Sequence, residues 1–540
     1  MSFIRSFVFF TTVLAGASAT EQYDCIVIGG GASGLSTVFH LNQTGVHNVV
    51  VLEARERLGG RIHTYTFPET THRTELGANW LDHINVNPIL KLFPETPYVH
   101  SDYALSFFSK EVGVWSKKKL MNTFLWGIGV PIVRFLIGTY FSIVPSLFPS
   151  LFPSFGPTTS YKDDVSLSQF VTEFLNATST SLPLSDSEIW SLVNMSTGLE
   201  GIEAHKQSIT TLMDPLMDKR PKGGGSALPV HGYLSTLQPL YDAFVESIVL
   251  GAEVKKVTYG KDFCEVQTAG GREYSAKACV STLPLGVLKQ GVVHFEPPLS
   301  AGKQAAIDAV PVGVVNKVAL LFEENFWQDF HSSNESESLV IIPDKNKKWE
   351  GHFQSLYFDQ SKGNGAPVLS TIWAGAGVAK AHFDPKSDEE IVGNIMKSLR
   401  EMIPNAPDPK DFVVTKWHKD PFSFGSYSSY TFLGLDPMIG SEFVSPESNS
   451  LFFAGEHVWF TDPGYVHSAW FSGQCAVQML KNGDASSFCP LPKHRPWQLY
   501  SLYWTLACLT VFFFVCVFVY CCCLRGGKRG TQKAKDVKKE

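Results

Sequence analysis

The feature that most constrains this chain lies near its N-terminus. Cys25 to Ile28 is a short apolar run with the character of a buried strand. It leads into Gly29-Gly30-Gly31-Ala32-Ser33-Gly34, where Gly29, Gly31 and Gly34 fill the G-x-G-x-x-G spacing. A helical stretch from Ala32 to Thr44 follows, and Asn48 to Leu52 reads as a second buried strand that ends on Glu53. Strand, glycine turn, helix, strand and acidic residue, in that order, make a dinucleotide-binding βαβ unit. Gly29 permits the tight turn. Gly31 lets the backbone approach a pyrophosphate at the helix N-terminus, where free N–H groups and the helix dipole favour an anion. Gly34 allows helix and strand to pack closely. Glu53 is placed to accept hydrogen bonds from ribose hydroxyls, and its charge disfavours a 2′-phosphate.

A chain of 540 residues exceeds one ordinary domain. With 44% hydrophobic and 18% charged residues it is a folded protein, not a disordered one. Three separated stretches have the character of the dinucleotide domain: residues 20–93, 223–298 and 450–490. The middle one carries an expected helix, Gly232 to Ser247, and strands at Ala252 to Thr258, Cys264 to Thr268 and Glu273 to Ser281. The intervening residues 94–222 and 299–449 differ, with strands expected at Val314 to Phe322 and Val368 to Trp373 and a helix at Glu389 to Met402. The expected fold is α/β: a discontinuous Rossmann-like domain with an interleaved α+β substrate domain, plus one C-terminal transmembrane helix.

The two ends speak for the secretory pathway. Arg5, the apolar Phe7 to Leu14 and Ala17-Ser18-Ala19 form a signal peptide over residues 1–19. Residues 499–524 contain no charge and are long enough to span a bilayer, with Trp497, Tyr500, Tyr503 and Trp504 at the upstream edge. The tail, residues 525–540, holds seven basic residues against two acidic ones, which places it in the cytosol and the body on the lumenal or extracellular side. Cys521, Cys522 and Cys523 at the inner boundary are candidate palmitoylation sites or simply part of the span. Sequons at Asn42, Asn176, Asn194 and Asn334 are candidate glycosylation sites. The body is more acidic than the whole chain's net −6, because the tail is basic, and this suits a cationic partner better than nucleic acid. Cys25, Cys264, Cys279, Cys475 and Cys489 are odd in number and scattered, so they are expected as buried thiols rather than a disulfide framework. No metal-ligand spacing is visible. Phe124 to Phe155, apolar and broken by prolines, reads as a buried lining of the substrate domain or as a flap that meets the membrane surface.

Further motifs carry a family resemblance. Leu52-Glu53-Ala54-Arg55-Glu56-Arg57-Leu58-Gly59-Gly60-Arg61, then Glu75-Leu76-Gly77-Ala78-Asn79-Trp80, then Ser281-Thr282-Leu283-Pro284-Leu285-Gly286-Val287-Leu288, then Leu451-Phe452-Phe453-Ala454-Gly455-Glu456-His457 and Pro463-Gly464-Tyr465-Val466-His467-Ser468-Ala469 stand in order. Together they resemble the flavin-containing amine oxidases, and within that family the polyamine oxidases. The resemblance implies FAD, held by both ends of the chain. Its binding residues would be Gly29, Gly31, Ala32, Ser33, Gly34, Glu53, Ala54, Arg55, Gly60, Arg61, Gly77, Ala78, Asn79, Trp80, Val254, Gly455, Glu456 and Val466. It implies that Lys317 holds a water against the flavin and that Tyr427 and Tyr465 form two aromatic walls, which would align an amine by stacking and cation–π contact. A lysine inside an apolar strand is itself costly to bury unless paired, which supports a functional role.

Trp80 and Trp417 would shape the site, and Asp82 would bind a remote ammonium, with Glu200 and Glu203 as further candidates. Ser426 stands where monoamine oxidases carry the cysteine bonded to flavin, so the FAD is expected to be non-covalent. The implied reaction passes hydride from an amine α-carbon to the flavin, which O₂ reoxidises to give H₂O₂ and an imine. A monoamine or amino-acid oxidase of the same family stays open at this point. So does a flavin-binding membrane protein without turnover. Oligomeric state is not readable.

Overall fold

The computed structural model describes residues 21–101, 105–109, 113–114, 166–169, 172, 201–202, 205–207, 225–328, 338–342, 356–429, 439–459, 462–483 and 489. The N-terminal stretch gives β1 (Glu21–Ile28), α1 (Ala32–Gln43) and β2 (Val49–Leu52). The middle stretch gives α2 (Tyr233–Ala243), β3 (Val254–Tyr259), β4 (Cys264–Thr268) and β5 (Glu273–Ser281). Then come β6 (Val315–Leu321), β7 (Val368–Ala374) and α3 (Asp388–Met402), and the C-terminal stretch ends with β8 (Leu451–Phe453) and α4 (Val466–Asn482).

The first sheet runs His294–Glu296, β3, β4, β5, β1, β2, Ile248–Val249, with β8 also on β5. β1 pairs in parallel with β2, Ile28 against Leu52, and with β5 from Tyr274 to Ser281, Ile28 against Ser281. On its other side β5 changes partner along its length, from antiparallel β4 up to Ala276 to parallel β8 from Cys279 onward. The carboxyl ends of β1, β2, β5 and β8 therefore share one edge, where ligands of such sheets bind. Cys25 to Ile28 and all of β2 are buried, as expected of parallel strands covered on both faces. Helix α1 lies against α4. A Cβ on Gly473 would stand 2.5 Å from the Ser33 carbonyl oxygen, Ser36 donates to the Trp470 carbonyl at 2.6 Å, and the Ser33 and Ser472 hydroxyls meet at 3.2 Å.

The second sheet runs Asp411–Val414, β6, β7, Leu356–Asp359, Ser338–Ile342, Leu105–Ser109, Gly113–Val114. Residues from both intervening segments thus meet in one sheet. Helix α3 opens with a capping box between Ser387 and Glu390, and it buries Ile391, Ile395 and Leu399 with Val318, Leu320 and Trp373. The expected boundaries at 299 and 450 cut through the first core, however. Ala306 and Ile307 of the Ala301–Ala309 helix and Phe443 and Val444 pack there with β1, β5 and β8. Lys303 joins these two pieces: its ammonium donates to the carbonyls of Glu442, Phe443 and Ser445 and lies 4.3 Å from the Phe453 ring centre.

The expectation of scattered free thiols is corrected. Cys264 is bonded to Cys279, Cα atoms 5.9 Å apart, and Cys475 to Cys489, 5.4 Å apart; Cys25 is free and buried. Spacing alone concealed this, since the first pair meets across adjacent strands and the second between α4 and the chain that follows it. The expected signal peptide, the 124–155 segment, Glu200, Glu203, Asn176, Asn194, Asn334, the 499–524 span and the basic tail all lie outside the described residues. Among the described residues no helix is long and apolar enough to cross a membrane. Asn42 is exposed in the last turn of α1.

Candidate active site

Two glycine turns face each other at the edge of the first sheet. The β1–α1 turn is tight because Gly29 has φ +111°, and because a Cβ on Gly34 would sit 2.0 Å from the Gly29 carbonyl oxygen. Gly31 pairs with Gly59, and a Cβ on Gly31 would meet nothing nearer than the Gly59 carbonyl at 3.9 Å. That leaves a backbone cradle at the start of α1, with Ala32 and Ser33 in its first turn. Gly60 (φ +57°) and Arg61 form the opposite side. The Arg61 guanidinium uses one nitrogen for both the Ser426 carbonyl and the Glu456 carboxylate, each at 2.7 Å, and its other N–H groups have no hydrogen-bond partner among the described residues. Open backbone amides beside an uncommitted guanidinium edge suit a pyrophosphate.

Glu53 stands at the end of β2 and is buried, accepting from the Gly30 amide at 2.7 Å and the Arg55 amide at 2.9 Å. Val254 opens β3 beside it, because Ala252 donates to the Glu53 carbonyl. Arg55, past Ala54, takes Asp420 in a bidentate pair at 2.9 Å and also donates to Ser423. It clamps the nucleotide domain to the 420–423 loop. Glu456 follows Gly455 (φ +141°) and is wrapped by donors: Arg61, the Ser428 amide and hydroxyl, and the Gly464 amide at 2.8 Å. Burial alone pushes its carboxyl up, but Arg61, His457 and Ser428 together hold it below the usual carboxylate range.

Lys317 reaches from β6 to the Glu75–Gly77 segment, where its ammonium donates to the Glu75 carbonyl at 3.0 Å and the Gly77 carbonyl at 2.6 Å. Trp417 takes the carbonyl between them, that of Leu76, at 3.0 Å. Burial pushes the Lys317 ammonium down to about 8, with Glu75 opposing. Gly77 has no room for a side chain, since its Cβ would lie 1.8 Å from the Arg61 carbonyl oxygen, and the Ala78 amide donates to that same oxygen. This segment is therefore held by Lys317 and Trp417 on one side and pressed against the Arg61 turn on the other. Glu75 itself caps α2, accepting from the Tyr233 amide and the Thr64 hydroxyl. Burial raises its pKa. Sequence reasoning missed this role, although a buried acid before a glycine and a later helix start were both visible.

The substrate side is built on the same pieces. Asn79 is buried and accepts from Gln360 at 3.4 Å; Trp80 meets Phe358 edge-on, 5.2 Å between ring centres. The half-buried Asp82 carboxylate accepts from the Ser226 hydroxyl at 2.5 Å. Tyr427 and the turn that carries Tyr465 are neighbours, as a Cβ on the intervening Gly464 would stand 3.4 Å from the Tyr427 ring. Tyr465 caps α4 and Val466 begins it. The Ser426 hydroxyl donates to the Val315 carbonyl and accepts from the Val315 amide, both at 2.8 Å, so no thiol is available there.

The model of a family described as flavin-containing amine oxidoreductase matches residues 32–480. The chain belongs to that family. A rice (Oryza sativa subsp. japonica) protein named polyamine oxidase 4 is 30% identical over 473 residues, covering 84% of this chain and 87% of its own. Polyamine oxidase 2 of Arabidopsis thaliana is 29% identical over 487 residues, covering 87% and 92%. A solved putrescine oxidase double mutant, redesigned in cofactor binding, shares the fold with a TM-score of 0.64 at 18% identity, covering 86% of this chain and 100% of its own. This amine oxidoreductase is an FAD enzyme, and the cradle of Gly31, Gly60, Arg61, Glu53 and Glu456 fits the cofactor. Arg61 from the N-terminal stretch and Glu456 from the C-terminal one meet there.

Proposed function

We propose that this amine oxidoreductase oxidises polyamines, and that it does so as a type I membrane protein with its catalytic body on the lumenal or extracellular side. The observation that carries the substrate reading is the half-buried Asp82 carboxylate, on the same segment as Gly77, Asn79 and Trp80 and five residues past the carbonyl held by Lys317. A carboxylate there suits a substrate with a second ammonium remote from the reacting carbon. The relatives' names point the same way. FAD, when bound, accepts hydride from the amine and passes the electrons to O₂ as H₂O₂.

The chain's own residues do the rest. Tyr427 and Tyr465 would offer two ring faces that align the amine as an ammonium before it gives up its proton. Asp82 fixes the distal end and so the carbon presented. Lys317 spends two protons on the Glu75 and Gly77 carbonyls, and its third donor position would hold a water at the reacting face. Ser426 leaves the FAD non-covalent. The membrane reading is supported by the 499–524 span, the basic tail, the signal peptide and the sequons. Two disulfides in the body suit an oxidising compartment, and exposed Asn42 suits glycosylation.

A peroxide assay on the full-length protein with spermidine, spermine, acetylated polyamines and monoamines tests the substrate. Higher kcat/KM on a polyamine, falling for Asp82→Asn through KM, is the expected result. Equal or better turnover of monoamines, unchanged in Asp82→Asn, would overturn the polyamine reading.

A further inference from the structure

Leu81-Asp82-His83 ends on a histidine whose backbone sits in the left-handed region that favours glycine: His83 has φ +54°. A side chain is ill at ease in that region, so its presence there asks for a reason. The imidazole supplies one. His83 Nε2 lies 3.4 Å from Asp462 Oδ2, and His467 Nε2 lies 2.5 Å from that same oxygen. The three donor atoms all fall within 4.8 Å of one another. The two imidazole rings stand 5.1 Å apart and nearly perpendicular, at 85°. Asp462 is 5% exposed and His467 4%, so the cluster is walled by protein on most sides. His467 is in the first turn of α4 and Asp462 in the loop before it, while His83 comes from the far end of the sequence. No spacing in the sequence could show the three together.

We propose that His83, Asp462 and His467 form a binding site for a divalent transition metal, with Zn²⁺ the ion that suits the donors best. Two imidazole nitrogens and one carboxylate oxygen, with a fourth position left for water, form a zinc donor set; Mg²⁺ and Ca²⁺ seek oxygen donors instead. A tetrahedral zinc with bonds of about 2.0–2.1 Å sets its donors about 3.3 Å apart. The His83–Asp462 pair already has that separation. The closer His467–Asp462 hydrogen bond opens by less than about 1 Å as the metal replaces the shared proton, which leaves to solvent. No oxidant or reductant is involved. The metal would tie the segment carrying Trp80 and Asp82 to the turn carrying Tyr465, whose ring lies 6.1 Å from that of His83 and 5.1 Å from that of His467.

The test uses the full-length, flavin-loaded protein in detergent, stripped with a chelator and then titrated with ZnCl₂ against a chromophoric chelator, with metal content measured after dialysis. Wild type is expected to retain about one zinc per chain and to melt at higher temperature when zinc is present. His83→Gly gives the backbone the residue it favours, so it should fold. It should lose more zinc affinity than the ~10–100-fold that follows loss of an outer-shell partner, and Asp462→Asn should do the same. Flavin absorbance and melting confirm that both variants are folded. Failure of wild type to bind zinc saturably would overturn the proposal. So would zinc binding by both folded variants as tight as wild type, which would leave the three residues as a hydrogen-bonded cluster only. The readout does not depend on which amine is the substrate.

Discussion

Replacing Lys317 by methionine separates the chemistry of the ammonium from its packing. The thioether is close in length and apolar, so β6 keeps its buried face. Two effects on stability oppose each other. Loss of the two bonds to the Glu75 and Gly77 carbonyls removes charge-assisted interactions of about 1.5–3 kcal/mol each. Against that, burial has pushed the ammonium from 10.5 to about 8, and relief of that strain returns about 3 kcal/mol. The net cost is about 0–3 kcal/mol, below the ~5–15 kcal/mol that holds a domain folded. Lys317→Met should therefore be isolated folded and yellow, and any loss of rate is chemical. We expect a fall of about 10²–10⁴-fold, the range of a positioned proton donor or acceptor. Anaerobic mixing with polyamine follows flavin reduction, and later admission of O₂ follows reoxidation. Wild type should show an inflection near pH 8 in the affected step, where the ammonium loses its proton, and the variant should not. Wild-type rates in both half-reactions at every pH would refute the reasoning.

Further expectations follow from single contacts. Gly34→Ala places a methyl 2.0 Å from the Gly29 carbonyl oxygen, so the protein should purify with little flavin, read from its flavin-to-protein absorbance ratio. Lys303 is 1% exposed and burial pushes its ammonium down to about 7, with Glu447 and Glu442 opposing. Below about pH 7 folded and unfolded chains both carry that proton; between there and the ordinary lysine value only the unfolded chain does. Stability should thus rise with pH across that window by up to about 1.4 kcal/mol per unit, and Lys303→Met should flatten the slope in urea melts. Cys475→Ser with Cys489→Ser opens a loop of 14 residues and should cost about 3 kcal/mol, seen as a lower Tm.

Much of the dinucleotide half was legible because its signals are local. Gly29 to Gly34 must turn and pack within a few residues, and the all-apolar β2 has no other home than a covered parallel strand. Lys317 was legible as an anomaly, a charge in the middle of an apolar strand. What it holds was not, since the Glu75–Gly77 carbonyls are backbone groups brought there by the second sheet. The same holds for Asp420 on Arg55 and Ser428 on Glu456: each is an ordinary polar residue until tertiary structure gives it a partner. The disulfides were concealed for a related reason, as pairing depends on which strands are neighbours. The return of the Ala301–Ala309 helix to the first core was not legible either, because nothing in its own periodicity says which core it faces.

The contact of α1 with α4 joins hydroxyls on Ser33 and Ser472, 439 residues apart in sequence. A ribosome adding about 5–20 residues each second needs about 20–90 s to bridge that interval. For that time the nascent chain has its first helix without its cover, β5 without β8, and a nucleotide cradle without Glu456. The nucleotide-binding half is begun first and closed last, so cofactor capture belongs to the end of synthesis. Truncations that spare every residue before 450 should still emerge unable to retain FAD.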